Sequence, residues 1–333
     1  MTDTNTELVE LVADLAVDAA QPPAGGLSPI WPKLIELGLT CVGTPEAAGG
    51  SGGTLSDLTV LARALTSKGV STPLIETAVA NQILADTGHE LGGATVVVME
   101  QALSEDSPLS LTAVPWARHC DRLITVDTES IGLIDLAAPG VTITPGINIG
   151  GDARDQVSAP AGTWKQLSGT AAAADILGRL ALLTAAALTG AIDGTYALTR
   201  LQVQTRTQFG QPLIEIPAVA GNLAEIKVAL LGAEAALDRA IESADITRIG
   251  RPTVDSAAVI ARVMASRAGT RAARIGHQLH GALGITDEYP LHHYTTRIWA
   301  WRDEPFSEAR WLTCLGDLAL HRGEEALWEQ ITA

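Results

Sequence analysis

Arg206-Thr207-Gln208-Phe209-Gly210 is the stretch on which the reading of this chain turns. It closes a long apolar, helix-forming run that starts near Ala171 and ends near Gln204. An Arg at that end offers a forked cationic donor. Phe209 offers a flat apolar face, and Gly210 lets the backbone turn or approach another group closely. A second stretch of the same character follows: Gln278-Leu279-His280-Gly281-Ala282-Leu283-Gly284-Ile285-Thr286-Asp287-Glu288-Tyr289-Pro290. It too ends a long helical pattern, with an amide side chain just before a glycine.

Outward from these two stretches, the C-terminal half reads as long helices. After the run ending near Gln204, a second helix starts with Pro217 in its first turn and continues through Leu223, Ile226, Leu230, Leu237 and Ile241. A third runs from near Pro252 to about Leu279, and a shorter tail from Ser307 to Trp328. Helices of roughly 25–35 residues far exceed the ordinary ~11–12, and such helices usually assemble as a four-helix bundle. The first ninety residues are helical as well. Leu8, Leu11, Val12 and Leu15 recur at helical spacing, and Trp31, Leu34 and Ile35 begin a shorter repeat that stops at Gly38. Thr54 is placed to cap a further helix. The Gly-rich break at 49–53 reads as a turn between helices, because no Lys-Ser/Thr follows it to complete a phosphate loop.

Between these helical blocks the pattern changes. Thr95–Met99, Leu109–Ala113, Leu123–Val126, Ile131–Ile134 and Val141–Ile143 are short β-prone runs broken by Gly, Pro, Asp and Ser. The expected fold class is therefore α+β, mostly α. The expected domains are an N-terminal helical domain (1–92), a small β domain (93–165) and a C-terminal helical bundle (166–333).

The chain has 333 residues, 47% of them hydrophobic, and a formal net charge of −16. That charge argues against nucleic acid, whose phosphates demand basic patches. Fourteen of the 18 Arg residues nevertheless lie beyond position 170, so an anionic cofactor would belong to that half. Three scattered cysteines (Cys41, Cys120, Cys314) argue against a disulfide framework and for a reducing compartment, with the cytoplasm expected. The most apolar run, Ile176–Leu198, is interrupted by Arg179 and Asp193, which suits a buried helix better than a membrane span. His277 with His280, and His292 beside His293, lack the carboxylate or Cys spacing of a metal site, so none is expected.

The order helical, β, helical, with both C-terminal stretches in place, resembles the acyl-CoA dehydrogenase family. Leu34-Ile35-Glu36-Leu37-Gly38-Leu39, followed by Pro45-Glu46 and the Gly run, is similar to that family's N-terminal helix and turn. The resemblance implies an FAD bound at a subunit interface, one protomer gripping the flavin ring and its neighbour reaching the diphosphate and adenosine. It assigns Arg206 to the diphosphate, Phe209 to packing on the cofactor and Gly210 to close approach. Gln278 and Gly281 form the second reaching segment. Pro217 and Ala282 depart from the family pattern, which often has Gln and Gly there. The family's flavin-embracing strand has no match in Val98–Pro108, so a complete flavin site within one protomer is not expected.

Desaturation also needs a carboxylate within reach of the substrate's α-proton. The resemblance places that Glu at either of two positions, occupied here by Gly178 and Pro305. Glu304 stands one residue from the second position, and on a helix one residue turns a side chain by ~100°. Three readings stay open. The leading one makes this chain the cofactor-clasping, non-catalytic subunit of a heteromeric FAD-dependent acyl-CoA dehydrogenase. It resembles the paired subunits that actinobacteria use on steroid side chains, in a two-plus-two heterotetramer whose partner supplies the Glu. The second is a self-sufficient homomeric dehydrogenase using Glu304. The third is a structural or regulatory bundle with a decayed site.

Overall fold

A computed structural model describes residues 3–17, 21–100, 102–127, 130–169, 173–246, 255–323, 325 and 328. Four helices open the chain: α1 (Asp3–Ala16), α2 (Trp31–Glu36), α3 (Leu55–Ser67) and α4 (Leu74–Asp86). Thr54 caps α3 through a reciprocal box: its side chain accepts from the Asp57 amide while Asp57 accepts from the Thr54 amide. The Gly-rich segment is a turn, as expected. Gly49, Gly52 and Gly53 have positive φ, and two backbone hydrogen bonds tie Gly52 to Gly43 and Thr44.

The β region holds seven strands in two sheets. Strands β1 (Ala94–Val98), β3 (Arg122–Val126), β4 (Ile131–Asp135) and β7 (Lys165–Gln166) form one, in the order β1-β3-β4-β7. Strands β2 (Leu109–Pro115), β6 (Arg154–Ala159) and β5 (Thr142–Thr144) form the other, in the order β2-β6-β5. Only β1 and β3 pair in parallel. A separate apolar cluster, which includes Leu111, Val114, Leu123, Ile134 and Val157, fills this region. Five of these strands match the apolar runs of the sequence; β6 and β7 do not announce themselves there.

The C-terminal half is built on α5 (Ala173–Thr205), which packs against α3, α6 (Pro217–Ile246), α7 (Ser256–His280) and α8 (Leu291–Arg302). Gly190 admits α3, since a Cβ there would run into the Arg63 carbonyl. The 33 residues of α5 are long and apolar enough to cross a membrane, yet 78% of its most apolar window is buried inside the protein. Its burial fits a core helix. A two-stranded hairpin, β8 (Thr207–Gln208) and β9 (Gln211–Pro212), links α5 to α6, and α9 (Glu308–Arg322) follows α8. The expected helix starts at Ala171 and Pro252 lie outside the described residues, as does most of the tail beyond Gly323.

Candidate functional site

The two reaching segments emerge at the same end of the bundle. Alongside α5, Gly269 of α7 faces Ile192, while a Cβ on Gly276 would lie 3.1 Å from Thr195 and 3.4 Å from Thr199. Helices α5 and α7 therefore run parallel, and their C-termini sit together. At the first, the β8–β9 hairpin presents Phe209 at its tip, 89% exposed and with φ of 52°, next to Gly210 at φ 80°. A large aromatic left in water in a left-handed conformation is unfavourable twice over. Arg206 is anchored only through its backbone, by hydrogen bonds to Gln202 and Leu213. Its side chain is exposed and has no ionic partner among the described residues. At the second segment, Gln278 is exposed, and Gly281 ends α7 at φ 61°, ψ −137°, with open space where a Cβ would be. All five residues face outward, so a cofactor diphosphate would meet a free cation, an amide and two glycine approaches.

Three histidines support this end. His280 Nδ1 meets the Gly276 carbonyl at 2.7 Å and its Nε2 meets the Tyr289 hydroxyl at 3.2 Å, while His277 Nε2 meets Thr295 Oγ1 at 2.8 Å. Burial lowers the pKa of His277 and of His280. Burial, then neighbouring His292 and Arg297, lower His293 to about 4, against the pull of Asp287. Each ring is thus held neutral by the fold. The unfolded chain takes up protons through about pH 6.5 while the native state resists, so stability is full above that pH and falls between it and about 4. Lowering the pH from 7.5 to 5.5 is expected to cost roughly 1 kcal/mol through His293, after allowance for its half-exposed ring. Thermal melts across that range check this, and His293→Gln should flatten the slope.

A second site lies elsewhere. A cavity of about 180 Å³ is walled by α3, α4, the first half of α5, β1, β2, β6 and the turn after α8. Eighteen residues of α5 separate Ala187, on the cavity wall, from Thr205, where the hairpin begins. At 1.5 Å per residue that is about 27 Å. The Arg206–Gly210 segment and this cavity are thus well separated along the same helix.

Neither position expected to carry the family's base holds an acid, and of the two only Pro305 is among the residues that line this cavity. Gly178 is buried on α5, two residues before the lining residue Leu180 and so on a different face of the helix. Glu304 lines the cavity as well, because α8 ends at Arg302 and the helical rotation that separated neighbouring positions no longer applies. Its carboxylate is occupied: Arg154 donates to Oε2 from Nε at 2.9 Å and Nη2 at 2.7 Å, and Asn148 donates to Oε1 at 3.1 Å. Buried Arg262 donates to the Arg302 and Glu304 carbonyls at 3.0 and 2.8 Å, and to that of Trp301, fixing the turn. No motif or periodicity marks Arg154, Arg262 or Glu76, a further lining carboxyl. The wall on the β side is Thr112, Ala113 and Pro115 of β2, with Trp116 just after it, all downstream of the Val98–Pro108 stretch. No group of three His, Cys, Asp or Glu side chains suited to a metal occurs among the described residues.

Comparison with known proteins places this arrangement. The N-terminal domain of acyl-CoA dehydrogenases matches residues 4–105, and the C-terminal domain of the same family matches residues 168–302. The chain belongs to the acyl-CoA dehydrogenase family. It is 27% identical over 307 residues to acyl-CoA dehydrogenase IpdE2 of Mycobacterium tuberculosis, covering 87% of this chain and 89% of that one. It is 29% identical over 310 residues to acyl-CoA dehydrogenase FadE28 of the same organism, covering 80% and 86%. Among solved structures, a variant of the Tcur3481–Tcur3483 steroid ACAD superposes with a TM-score of 0.85 at 23% identity, covering 96% of this chain and 98% of that one. A chain of the ChsE4–ChsE5 complex from Mycobacterium tuberculosis does so at 0.78 and 20%, with coverage of 96% and 98%. These likenesses bear out the expected α+β fold.

Proposed function

We propose that this chain is the cofactor-clasping subunit of a heteromeric, FAD-dependent acyl-CoA dehydrogenase acting in the cytoplasm. The complex desaturates an acyl-CoA thioester between its α and β carbons, and a homologous partner chain supplies the Glu. The carrying observation is the distance of about 27 Å along α5 between the outward-facing Arg206–Gly210 segment and the chain's own cavity. Such a segment is useful only to a neighbour. Two further observations favour an unlike neighbour: Gly178 and Pro305 stand at the positions of the base, and Glu304 is held by Arg154 and Asn148.

In this reading Arg206 and Gln278 hold the diphosphate, Phe209 packs on the cofactor, and Gly210 and Gly281 allow close approach. Bound flavin supplies hydride acceptance from the β carbon. A steroid-CoA substrate and a two-plus-two heterotetramer are extensions of the same reading. They are supported by likeness to the Tcur3481–Tcur3483 steroid ACAD and to a chain of the ChsE4–ChsE5 complex.

The test is expression of the chain alone and with its genomic neighbour, with flavin per protomer and product formation measured. The expected result is about one flavin per two chains, and turnover, only in the complex. About one flavin per protomer in the isolated chain, with turnover abolished by Glu304→Gln, would establish the self-sufficient enzyme instead.

A further inference from the structure

The cavity raises a question the clasp does not answer, namely what a chain without a base keeps there. At about 180 Å³ it exceeds by roughly tenfold the ~10–15 Å³ that one water needs. Most of its wall is apolar, including Leu65, Val70, Leu74, Val96, Trp116 and Leu180. The charged lining groups, Glu76, Asp152, Arg154 and Glu304, form one cluster.

Within that cluster the hydrogen-bonding capacity is almost fully committed. Arg154 spends Nε and Nη2 on Glu304 and donates from Nη1 to the Ala153 carbonyl at 2.8 Å. Asp152 accepts from Ser71 Oγ at 2.7 Å and Trp301 Nε1 at 2.8 Å, with Arg297 Nε at 3.9 Å. Glu304 is satisfied by Arg154 and Asn148. Glu76 is the exception. Its side chain, 16% exposed, lies 3.8 Å from Arg154 Nη2, and no other described residue's side chain pairs with it. Burial raises its pKa, and Asp152 and Glu304 add to the rise; Arg154 and the residue's own backbone N–H oppose it.

Three carboxyl groups around one engaged guanidinium would repel an anionic head group, and an uncommitted carboxyl beside apolar walls is a handle for a neutral one. We propose that this cavity binds an uncharged apolar molecule bearing a hydroxyl group, which donates a hydrogen bond to the Glu76 carboxyl. The site is independent of the clasp, being at the other end of α5.

Trp116 and Trp301 line the cavity and provide the readout. The full chain is titrated at pH 7.5 with 1-octanol, 2-octanone and octanoate while tryptophan emission is followed. The expected result is saturable binding of the alcohol at least tenfold tighter than of octanoate and about fivefold tighter than of the ketone, which has no proton to donate. Glu76→Leu should weaken octanol about fivefold, the worth of one ordinary hydrogen bond, and Glu76→Gln should preserve it. Arg206→Ala should leave octanol binding unchanged, so failure of this proposal and failure of the clasp are read separately. Octanoate binding as tightly as octanol would overturn the proposal. So would octanol binding unaffected by Glu76→Leu, or no saturable binding at all. If Glu76→Leu does not fold, the comparison of head groups on the native chain still decides.

Discussion

Arg154→Met is expected to destabilise the chain by about 3–5 kcal/mol, the usual result of removing one partner from a buried ion pair. Among the described residues Arg154 is the only cation lining the cavity, with a side chain 9% exposed. It holds Glu304 on the turn after α8 and stands 3.8 Å from Glu76 on α4, so one guanidinium on β6 ties the β region to both helical blocks. Without it, two carboxylates face each other in an apolar wall. One must take a proton or the turn must open toward solvent. The methionine keeps most of the stem's packing, which isolates the charge from the volume. A double variant, Arg154→Met with Glu304→Met, should recover a large part of the loss, because both uncompensated charges of the tight pair are then gone. Denaturant unfolding of the two single variants and the double measures the coupling. A coupling below about 0.5 kcal/mol would show that the pair is no more than an exposed surface contact.

That cluster also marks where reading the sequence stops. Helices declare themselves through period and punctuation: the apolar run of α5, Pro217 opening α6, and the Thr54 box opening α3 are local signals. Strands β1 to β5 declare themselves as apolar runs. Strand β6 does not, since it opens Arg154-Asp155-Gln156. Its charges are buried only because partners arrive from far along the chain: Arg118 for Asp155 and Glu304 for Arg154. A pairing across 150 residues leaves no periodicity to read. The role of Glu76 is hidden for the same reason. In Leu74-Ile75-Glu76-Thr77 it looks like an ordinary acid in a helix's first turn, and only the fold encloses it. Glu304 shows the converse: it lies beyond the end of α8, where the angle between neighbouring helical positions no longer sets the direction of a side chain. The proposed clasp residues, by contrast, can be picked out because two short segments carry them, Arg206–Gly210 and Gln278–Gly281, each at the end of a long helix.

Arg206→Ala is expected to leave the fold intact and strip the complex of flavin. Its side chain is exposed and unpaired among the described residues, so the change in stability should stay within about 0.5 kcal/mol, as for surface substitutions generally. Flavin affinity is another matter. A charge-assisted, forked contact to a diphosphate is worth about 1.5–3 kcal/mol, so retention in the complex should weaken by roughly ten- to a hundredfold. Arg206→Lys should recover only part of that, since an ammonium restores the charge but not the planar fork. The order of effects is therefore the reverse of that for Arg154→Met, in which unfolding leads and flavin loss follows from it. Flavin absorbance of the purified complex, set beside the melting temperature of each chain, separates the two. Wild-type flavin content in Arg206→Ala would remove Arg206 from the clasp. A lowered melting temperature in the isolated chain would reassign it to closing the end of α5, where a cation opposes the helix dipole. Only flavin loss without loss of stability fits a residue that does its work inside a neighbouring subunit.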